Sequence, residues 1–357
     1  MDSVTQVTLG AAVGEAVAGR EAGGKAPVWG GLLGLLPDLD VLANPFLTEA
    51  QSLTFHRSVT HSLVFAIVAT ACVAVGLRRL HSDTPVSLRR WAGLAAAALF
   101  THIGLDCLTT YGTQIFWPFS QYPVILGTVF VIDPLYTVPL AAGLLASLRG
   151  TRSDRIFFGM PRRWLNYAGL GLSSAYLLVT LVNKWHVNRV FGGALARQVP
   201  SAERFLTTPT PFNNLLWRGV AEADDGYYIG FYSLLDDDRS IHFRYVPHRH
   251  DLLGDTRENT VPRRLRRFSR GYYIVRRAPG GDLRIHDLRF GRNDLGLTSE
   301  GQYLFTYHLQ EGPGGRITGM RQEEPPIRLT RPLLRKFWAR IRGQTAVVPP
   351  TLNAKPE

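Results

Sequence analysis

Hydrophobic and polar positions divide this chain into two unlike halves. In the first, apolar residues run in long blocks. Residues 58–77 and 164–183 each continue for about twenty positions without Asp, Glu, Lys or Arg, the length an α-helix needs to cross a bilayer. Residues 91–108 are apolar apart from His102 and Asp106, and 132–148 carry one acid, Asp133, near the start. Two weaker pieces precede them. Residues 3–18 are rich in Ala, Gly and Val, while 27–36 are too few to span and are expected to be re-entrant or packed among neighbours. In the second half the pattern shortens. Residues 227–235, 240–248, 268–277, 282–290 and 302–310 are rich in aromatic and β-branched side chains. Turn chemistry such as Asp236-Asp237-Asp238 and Pro279-Gly280-Gly281-Asp282 separates them. The predicted fold class is an α-helical integral membrane domain of about four to six membrane-embedded helices, followed by a small, mainly antiparallel β extramembrane domain. The expected division is 1–186 for the membrane domain, 187–343 for the β-rich domain, and a disordered tail over 344–357.

Charge sharpens the division. Of 40 Lys+Arg and 28 Asp+Glu, only 12 and 10 precede residue 184, so the second half carries +10 of the +12 net charge. The mean hydropathy of −0.01 averages over both. Within the first half the basic residues fall on alternate loops: Arg20 and Lys25; Arg78, Arg79, Arg89 and Arg90; and Arg149, Arg152, Arg155, Arg162 and Arg163. These loops are expected to be cytoplasmic. Asp2, Asp38, Asp40, Glu49, Asp106 and Asp133 lie on the opposite loops, with Arg57 the one basic exception. The expected location is an inner, cytoplasmic membrane crossed several times, with the C-terminal domain on the non-cytoplasmic side. That domain's basic charge does not conflict, because long domains translocate largely regardless of charge. The basic run 263–270 reads as a solvated face, able beside a bilayer to touch lipid phosphates; no specific nucleic-acid partner is expected. Cys72 and Cys107 lie in apolar segments without CxxC spacing and read as small hydrophobes. The N-terminus lacks the basic and short apolar regions of a signal peptide, so insertion is expected to rely on the internal segments.

Four short signals place ionisable groups at the edges of apolar segments. They are Leu36-Pro37-Asp38-Leu39-Asp40, His56-Arg57-Ser58-Val59-Thr60-His61-Ser62, His102-Ile103-Gly104-Leu105-Asp106 and Ile132-Asp133-Pro134. Such groups are costly within a membrane and are functional candidates by default. His102 and Asp106, four apart on a helix, share a face. Asp38 and Asp40 follow Pro37, where a helix would end, and point the same way if the chain is extended there. His56 is expected to precede a helix that holds His61 in its first turn, with Ser58 or Thr60 as the N-cap. At about 1.5 Å per residue from the nearest cytoplasmic Arg or Lys, Asp38, His61, Asp106 and Asp133 all come to roughly 20–25 Å. They share one layer, just below the outer surface of a hydrocarbon core about 30 Å thick.

Carboxylates gathered there would repel one another and resist desolvation, with only Arg57 nearby to offset them. One or two divalent cations resolve the conflict. A mixed Asp/His set suits zinc first, with manganese or iron as alternatives, better than calcium. The expected ligands are Asp38, Asp40, His61, His102 and Asp106. His56 or Asp133 would complete the shell or act as general base, and Arg57 would orient an anion. Any one of these residues alone is as readily a helix cap or a satisfied polar contact; Asp38 and Asp133 stand beside prolines and could simply shape turns. Glu15 pairs with Arg20 or joins the site, and the sequence leaves that open. The histidines from His186 onward default to surface or sheet positions.

At these same motifs the sequence resembles the membrane-bound metal-dependent hydrolase family, whose members are also described as LexA-binding, inner-membrane-associated hydrolases. The matching stretches are Leu35-Leu36-Pro37-Asp38-Leu39-Asp40, His56-Arg57-Ser58-Val59-Thr60-His61-Ser62-Leu63 and Thr101-His102-Ile103-Gly104-Leu105-Asp106. The last continues through Thr109-Thr110-Tyr111-Gly112 to Trp117-Pro118-Phe119. The opening Met1-Asp2-Ser3-Val4-Thr5-Gln6 and Gly10-Ala11-Ala12-Val13-Gly14-Glu15 are also similar to longer members. The likeness covers about residues 1 to 145 and leaves the C-terminal domain outside. It implies a bacterial or archaeal inner-membrane protein with a metal centre at Asp38, Asp40, His56, His61, His102 and Asp106, and Asp133 as an addition. Some shorter members carry a histidine near the N-terminus where this chain has Gln6.

The leading expectation is a hydrolase in which metal-activated water attacks an ester or phosphoester at the outer membrane face. The location suggests a membrane lipid or a lipid-linked, phosphorylated small substrate. Two other classes stay open. A metal or ion carrier could use the same ligands, although the cytoplasmic halves of the helices, such as 63–77 and 139–148, lack the polar trail it needs. A non-catalytic anchor for a partner-binding β domain is the other.

Overall fold

Asp2 starts the first helix by accepting hydrogen bonds from Thr5 N at 3.0 Å and Thr5 Oγ1 at 2.6 Å, the usual way an orphan N-terminal donor is satisfied. The computed structural model describes residues 1–149, 161–254, 259–298, 301–312, 316–323, 325–326 and 330–345. These fall into two compact units. One comprises Met1–Ala43, Phe55–Leu181 and Pro211–Asn213, the other Asn44–Thr54, Val182–Thr210 and Asn214–Glu357.

In the first unit, α1 (Ser3–Ala22) and α2 (Lys25–Leu35) pack backbone to backbone. Gly10 and Gly14 on α1 meet Gly30 and Gly34 on α2. A methyl group built on Gly10 or Gly30 would overlap the other's carbonyl oxygen, and one on Gly34 would overlap that of Gln6. This is the small-residue spacing that lets membrane helices approach closely. The hydropathy pattern marks only 27–36 here, but Pro37 does not end the helical path. The chain tightens into a 3-10 helix, Leu36–Phe46, and Lys25–Phe46 together are long and apolar enough to cross a membrane.

After α3 (Glu49–Phe55) and a 3-10 turn, Val59–His61, come α4 (Leu63–Leu80) and α5 (Leu88–Cys107). The cap of α4 is Ser62, whose Oγ accepts from Phe65 N at 3.0 Å, not Ser58 or Thr60. His61 therefore precedes the helix instead of sitting in its first turn. Asp133 caps α6 (Pro134–Leu148), accepting from Leu135 N at 3.0 Å, with Pro134 at the first position, where no donor is needed. The 36 residues of α7 (Arg163–Gln198) rise about 54 Å. Leu63–Leu80 and Arg163–Gln198 also have the length and hydropathy to span a membrane, and α6 is a shorter apolar helix. Apolar side chains such as Ile67, Val68, Val138, Leu145, Leu172 and Leu178 point outward, as a lipid-facing surface requires. Inside, α1 packs on α2, α5 and α6, and α5 also packs on α2 and α4, around Trp91, Leu94, Ala95 and Ala98.

The second unit holds two four-stranded antiparallel sheets, each in sequential order. One contains β1 (Arg204–Pro209), β2 (Leu216–Ala223), β3 (Gly226–Ser233) and β4 (Arg244–Pro247). The other contains β5 (Tyr273–Arg277), β6 (Leu283–Arg292), β7 (Tyr303–Glu311) and β8 (Ile317–Glu323). Val220, Tyr227 and Val246 of the first share a core with Ile274, Leu288 and Tyr303 of the second, so the sheets pack face to face. The alternation marks β3 to β7; it leaves β1, β2 and β8 unmarked, as well as α8 (Thr260–Phe268) and α9 (Arg331–Ile341). Most of the basic run 263–270 lies on α8, which buries Leu265 and Phe268 and exposes Arg263, Arg266 and Arg267. Of the tail expected over 344–357, everything from residue 346 falls outside the described residues.

Candidate metal centre

Local geometry decides which acids face each other. A 3-10 helix turns about 120° per residue, so Asp38 and Asp40, two apart on Leu36–Phe46, leave it about 120° apart. They do not share a side as they would on an extended chain. Asp38 faces α5 and the Val59–His61 turn, where four side chains converge. Each of Asp38, His61, His102 and Asp106 offers one donor atom, all within 4.8 Å of one another. His61 Nε2 lies 3.2 Å from His102 Nε2 and 3.3 Å from both Asp38 Oδ1 and Asp106 Oδ2. His102 Nε2 is 3.7 Å from Asp38 Oδ1 and 3.6 Å from Asp106 Oδ2. Donors around a tetrahedral zinc, with bonds of about 2.0–2.1 Å, sit about 3.3–3.4 Å apart. The spacing matches.

Hydrogen-bond partners fix what the histidines present. His102 Nδ1 lies 2.7 Å from the Gly34 carbonyl oxygen, which can only accept, so Nδ1 carries the hydrogen and a neutral ring turns its Nε2 lone pair inward. Thr60 Oγ1 donates to Asp40 Oδ2 at 3.1 Å, which leaves it to accept from His61 Nδ1, also at 3.1 Å. A neutral His61 ring therefore presents a lone pair too. With both rings neutral, two imidazole lone pairs and two carboxylate oxygens converge on one point. Asp106 Oδ2, fully buried, accepts no hydrogen bond among the described residues. His61, His102 and Asp106 are buried, while the Asp38 side chain is 15% exposed. A cation of zinc's size and ligand preference fits this donor set.

The remaining candidates surround this group without joining it. Asp40, expected as a ligand, sits behind the His61 ring, 3.6 Å from Nδ1. It accepts from Arg57 N at 3.1 Å and pairs with His56 Nδ1 at 2.8 Å. The His56 ring is edge-on to those of His61 and Tyr111, with centroids 5.8 and 5.4 Å away. Arg57 is buried, with its backbone at φ 61°, a region non-glycine residues rarely occupy. Its Nε is 3.2 Å from Asp106 Oδ2, its Nη1 donates to Thr109 Oγ1 at 3.0 Å, and its guanidinium lies over the Tyr111 ring. Asp133 stays apart as the α6 cap, with the Tyr176 hydroxyl donating to its Oδ2 at 2.8 Å. Glu15, buried on α1, lays its carboxyl against Gly19.

The outer contacts held no comparable signal in the sequence. Thr60 stands inside a quoted motif but reads there as a cap, and Gly34 acts through its carbonyl. Gln6 is an amide at the position where the resemblance implies a histidine in some shorter members. Its Nε2 donates to Asp106 Oδ1 at 3.0 Å, alongside the Met1 amino group, so the N-terminal segment reaches the centre through an amide.

Comparison with known proteins agrees with the first unit. The family model described as YdjM inner membrane protein matches residues 1–187. Inner membrane protein YbcI of Escherichia coli strain K12 is 34% identical over 125 residues, 32% of this chain and 69% of that protein. The protein named Uncharacterized protein YfhP of Bacillus subtilis strain 168 is 24% identical over 237 residues, 64% of this chain and 68% of its own length. No solved structure matches the chain.

Proposed function

This chain belongs to the YdjM inner membrane protein family, and from that footing we propose that it is a membrane-embedded metal-dependent hydrolase acting on an ester or phosphoester. The observation that carries the reading is the pair of inward-facing His61 and His102 Nε2 atoms 3.2 Å apart, flanked by two carboxylates. Between neutral rings and without a cation, those lone pairs oppose each other. Asp38, His61, His102 and Asp106 would hold one divalent ion, zinc first, with manganese or iron as alternatives. Such an ion would polarise the scissile group and make a water more acidic.

The chain's own residues supply the rest. Asp40 fixes His56 through Nδ1, which leaves His56 Nε2 to take a proton; at 23% exposure the ring has access to solvent. Arg57 offsets the charge of Asp106. Substrate would enter on the partly exposed Asp38 side, and a lipid-linked headgroup at the non-cytoplasmic face fits a site so close to apolar segments. The four-donor count favours one alternative, a cation that only ties the segments together, since closed zinc shells are commonly structural.

Element analysis of detergent-purified chain is expected to find one or two transition-metal ions, lost in a His61→Ala, Asp106→Ala double variant. Folded protein that takes up no metal under any loading condition defeats the proposal. Metal with no turnover of p-nitrophenyl carboxylic or phosphate esters, and none lost in His56→Ala, leaves the structural alternative standing.

A further inference from the structure

The interior between the two sheets contains a second polar feature, one that the metal centre does not use. Side chains two apart on a strand share a face. Arg218 therefore projects to the same side of β2 as core residue Val220, Arg244 to the same side of β4 as Val246, and Arg276 to the same side of β5 as Ile274. Arg292 pairs directly with Tyr303 across β6 and β7. Facing residues of a pair point the same way, so Arg292 also turns toward the core that Tyr303 joins. Arg218, Arg244 and Arg292 thus line one interior with Tyr303 among them, and Arg276, itself exposed, stands at its edge.

Among the described residues, few acids stand near them. Arg218 Nη1 donates to the Leu288 carbonyl oxygen at 2.6 Å. The Arg292 side chain is only 9% exposed, yet its buried Nε donates no hydrogen bond among the described residues. Asp294 Oδ1 lies 3.4 Å from Arg292 Nε and shares its charge with Gly296 N, Thr298 N and Thr298 Oγ1, from which it accepts hydrogen bonds. Asp287 is held by Arg289, at 2.7 Å from Nη2. Burial, then the neighbouring Arg292 and Arg276 guanidiniums, push Arg244 below the usual arginine range. Burial pushes Arg218 down to about 10. Like charges held this close, in a half of the chain where bases outnumber acids by ten, cost stability unless an anion joins them.

We propose that Arg218, Arg244 and Arg292, around Tyr303, form an oxyanion site between the two sheets for a phosphate-bearing ligand, with Arg276 at its rim. Guanidinium forks match phosphate oxygens in geometry and charge. The ligand is either a soluble phosphate compound or a phospholipid headgroup, and the two sources separate by experiment.

Pyrophosphate titrated into the full-length chain in detergent, and nanodiscs with and without phosphatidate, provide the two arms. Binding of pyrophosphate alone identifies a soluble ligand; binding of phosphatidate alone identifies a headgroup. In the binding arm, Arg244→Gln and Arg292→Gln are each expected to weaken affinity at least about tenfold, while Arg335→Gln on the exposed face of α9 changes it less than about twofold. Without ligand, both glutamine variants are expected to melt at a higher temperature than the parent, because repulsion is relieved. Arg292→Lys, which keeps the charge but loses the fork, serves if a glutamine variant does not fold. The proposal is overturned if neither probe binds at up to about 1 mM, or if Arg335→Gln weakens binding as much as Arg292→Gln does.

Discussion

Changing Gly34 to alanine tests whether the contact between α1 and α2 sets the metal centre. The added methyl would fall about 1 Å short of an ordinary contact with the Gln6 carbonyl oxygen. Backbone stands on both sides, so no flexible end can give way, and the helices must separate by about that distance. The Gly34 carbonyl is also the acceptor for His102 Nδ1 at 2.7 Å; about 1 Å more takes it beyond hydrogen-bonding range. Donors now 3.2–3.7 Å apart would spread with it. Loss of such an outer contact is expected to lower metal affinity about 10- to 100-fold, or roughly 1.4–2.7 kcal/mol. Helix propensity acts the other way, favouring alanine by about 1 kcal/mol. Gly104→Ala is the matched control: it lies between His102 and Asp106 on α5, and a methyl there meets nothing within 4 Å. Competition against a chromophoric chelator in detergent reads both variants. Parental affinity in Gly34→Ala, or an equal loss in Gly104→Ala, refutes the reasoning.

Thr60→Val removes the acceptor that orients His61 and is expected to weaken metal binding about 10- to 100-fold in the same competition assay, without lowering protein yield. Asp133→Ala removes a helix cap outside the donor group; thermal unfolding should show a loss of about 1 kcal/mol, with metal content unchanged. His286, whose Nδ1 meets Thr306 Oγ1 at 2.9 Å, is pushed down to about 3 by burial and then by Arg276 and Arg284. The unfolded chain, with a histidine near 6.5, takes up the proton first, so stability is full above pH 6.5. It should fall by about 1.4 kcal/mol per unit between there and pH 3. Urea midpoints of His286→Gln should lose that slope.

Legibility followed physical cause. Asp38, His61, His102 and Asp106 could be found because an ionisable group beside a long apolar run has few reasons to be there, and His102 and Asp106 needed only the helical period. Asp40 would share a side with Asp38 only on an extended chain, which Pro37 suggests; the backbone instead tightens into a 3-10 helix and turns the two acids apart. Asp133 looks the same as a ligand in sequence, yet its carboxylate serves α6 and Tyr176. In the second unit, β3 to β7 alternate clearly, whereas β2 is buried along nearly its whole length and so shows no alternation. The i, i+4 spacing of Val261 and Leu265, and of Leu333 and Phe337, carried α8 and α9. It was obscured by the arginines between them.

Asp38 is the one member of the donor group with exposed surface, and for a bound ion that asymmetry would govern kinetics as well as access. An ion held from three buried directions would leave only past the Asp38 carboxylate, after that arm has swung away. Exchange with buffer is then limited by the opening of one side chain. Dialysis against a chelator should strip the ion over hours even where equilibrium favours the chelator, and Asp38→Ala should shorten that time far more than it lowers occupancy at saturating metal.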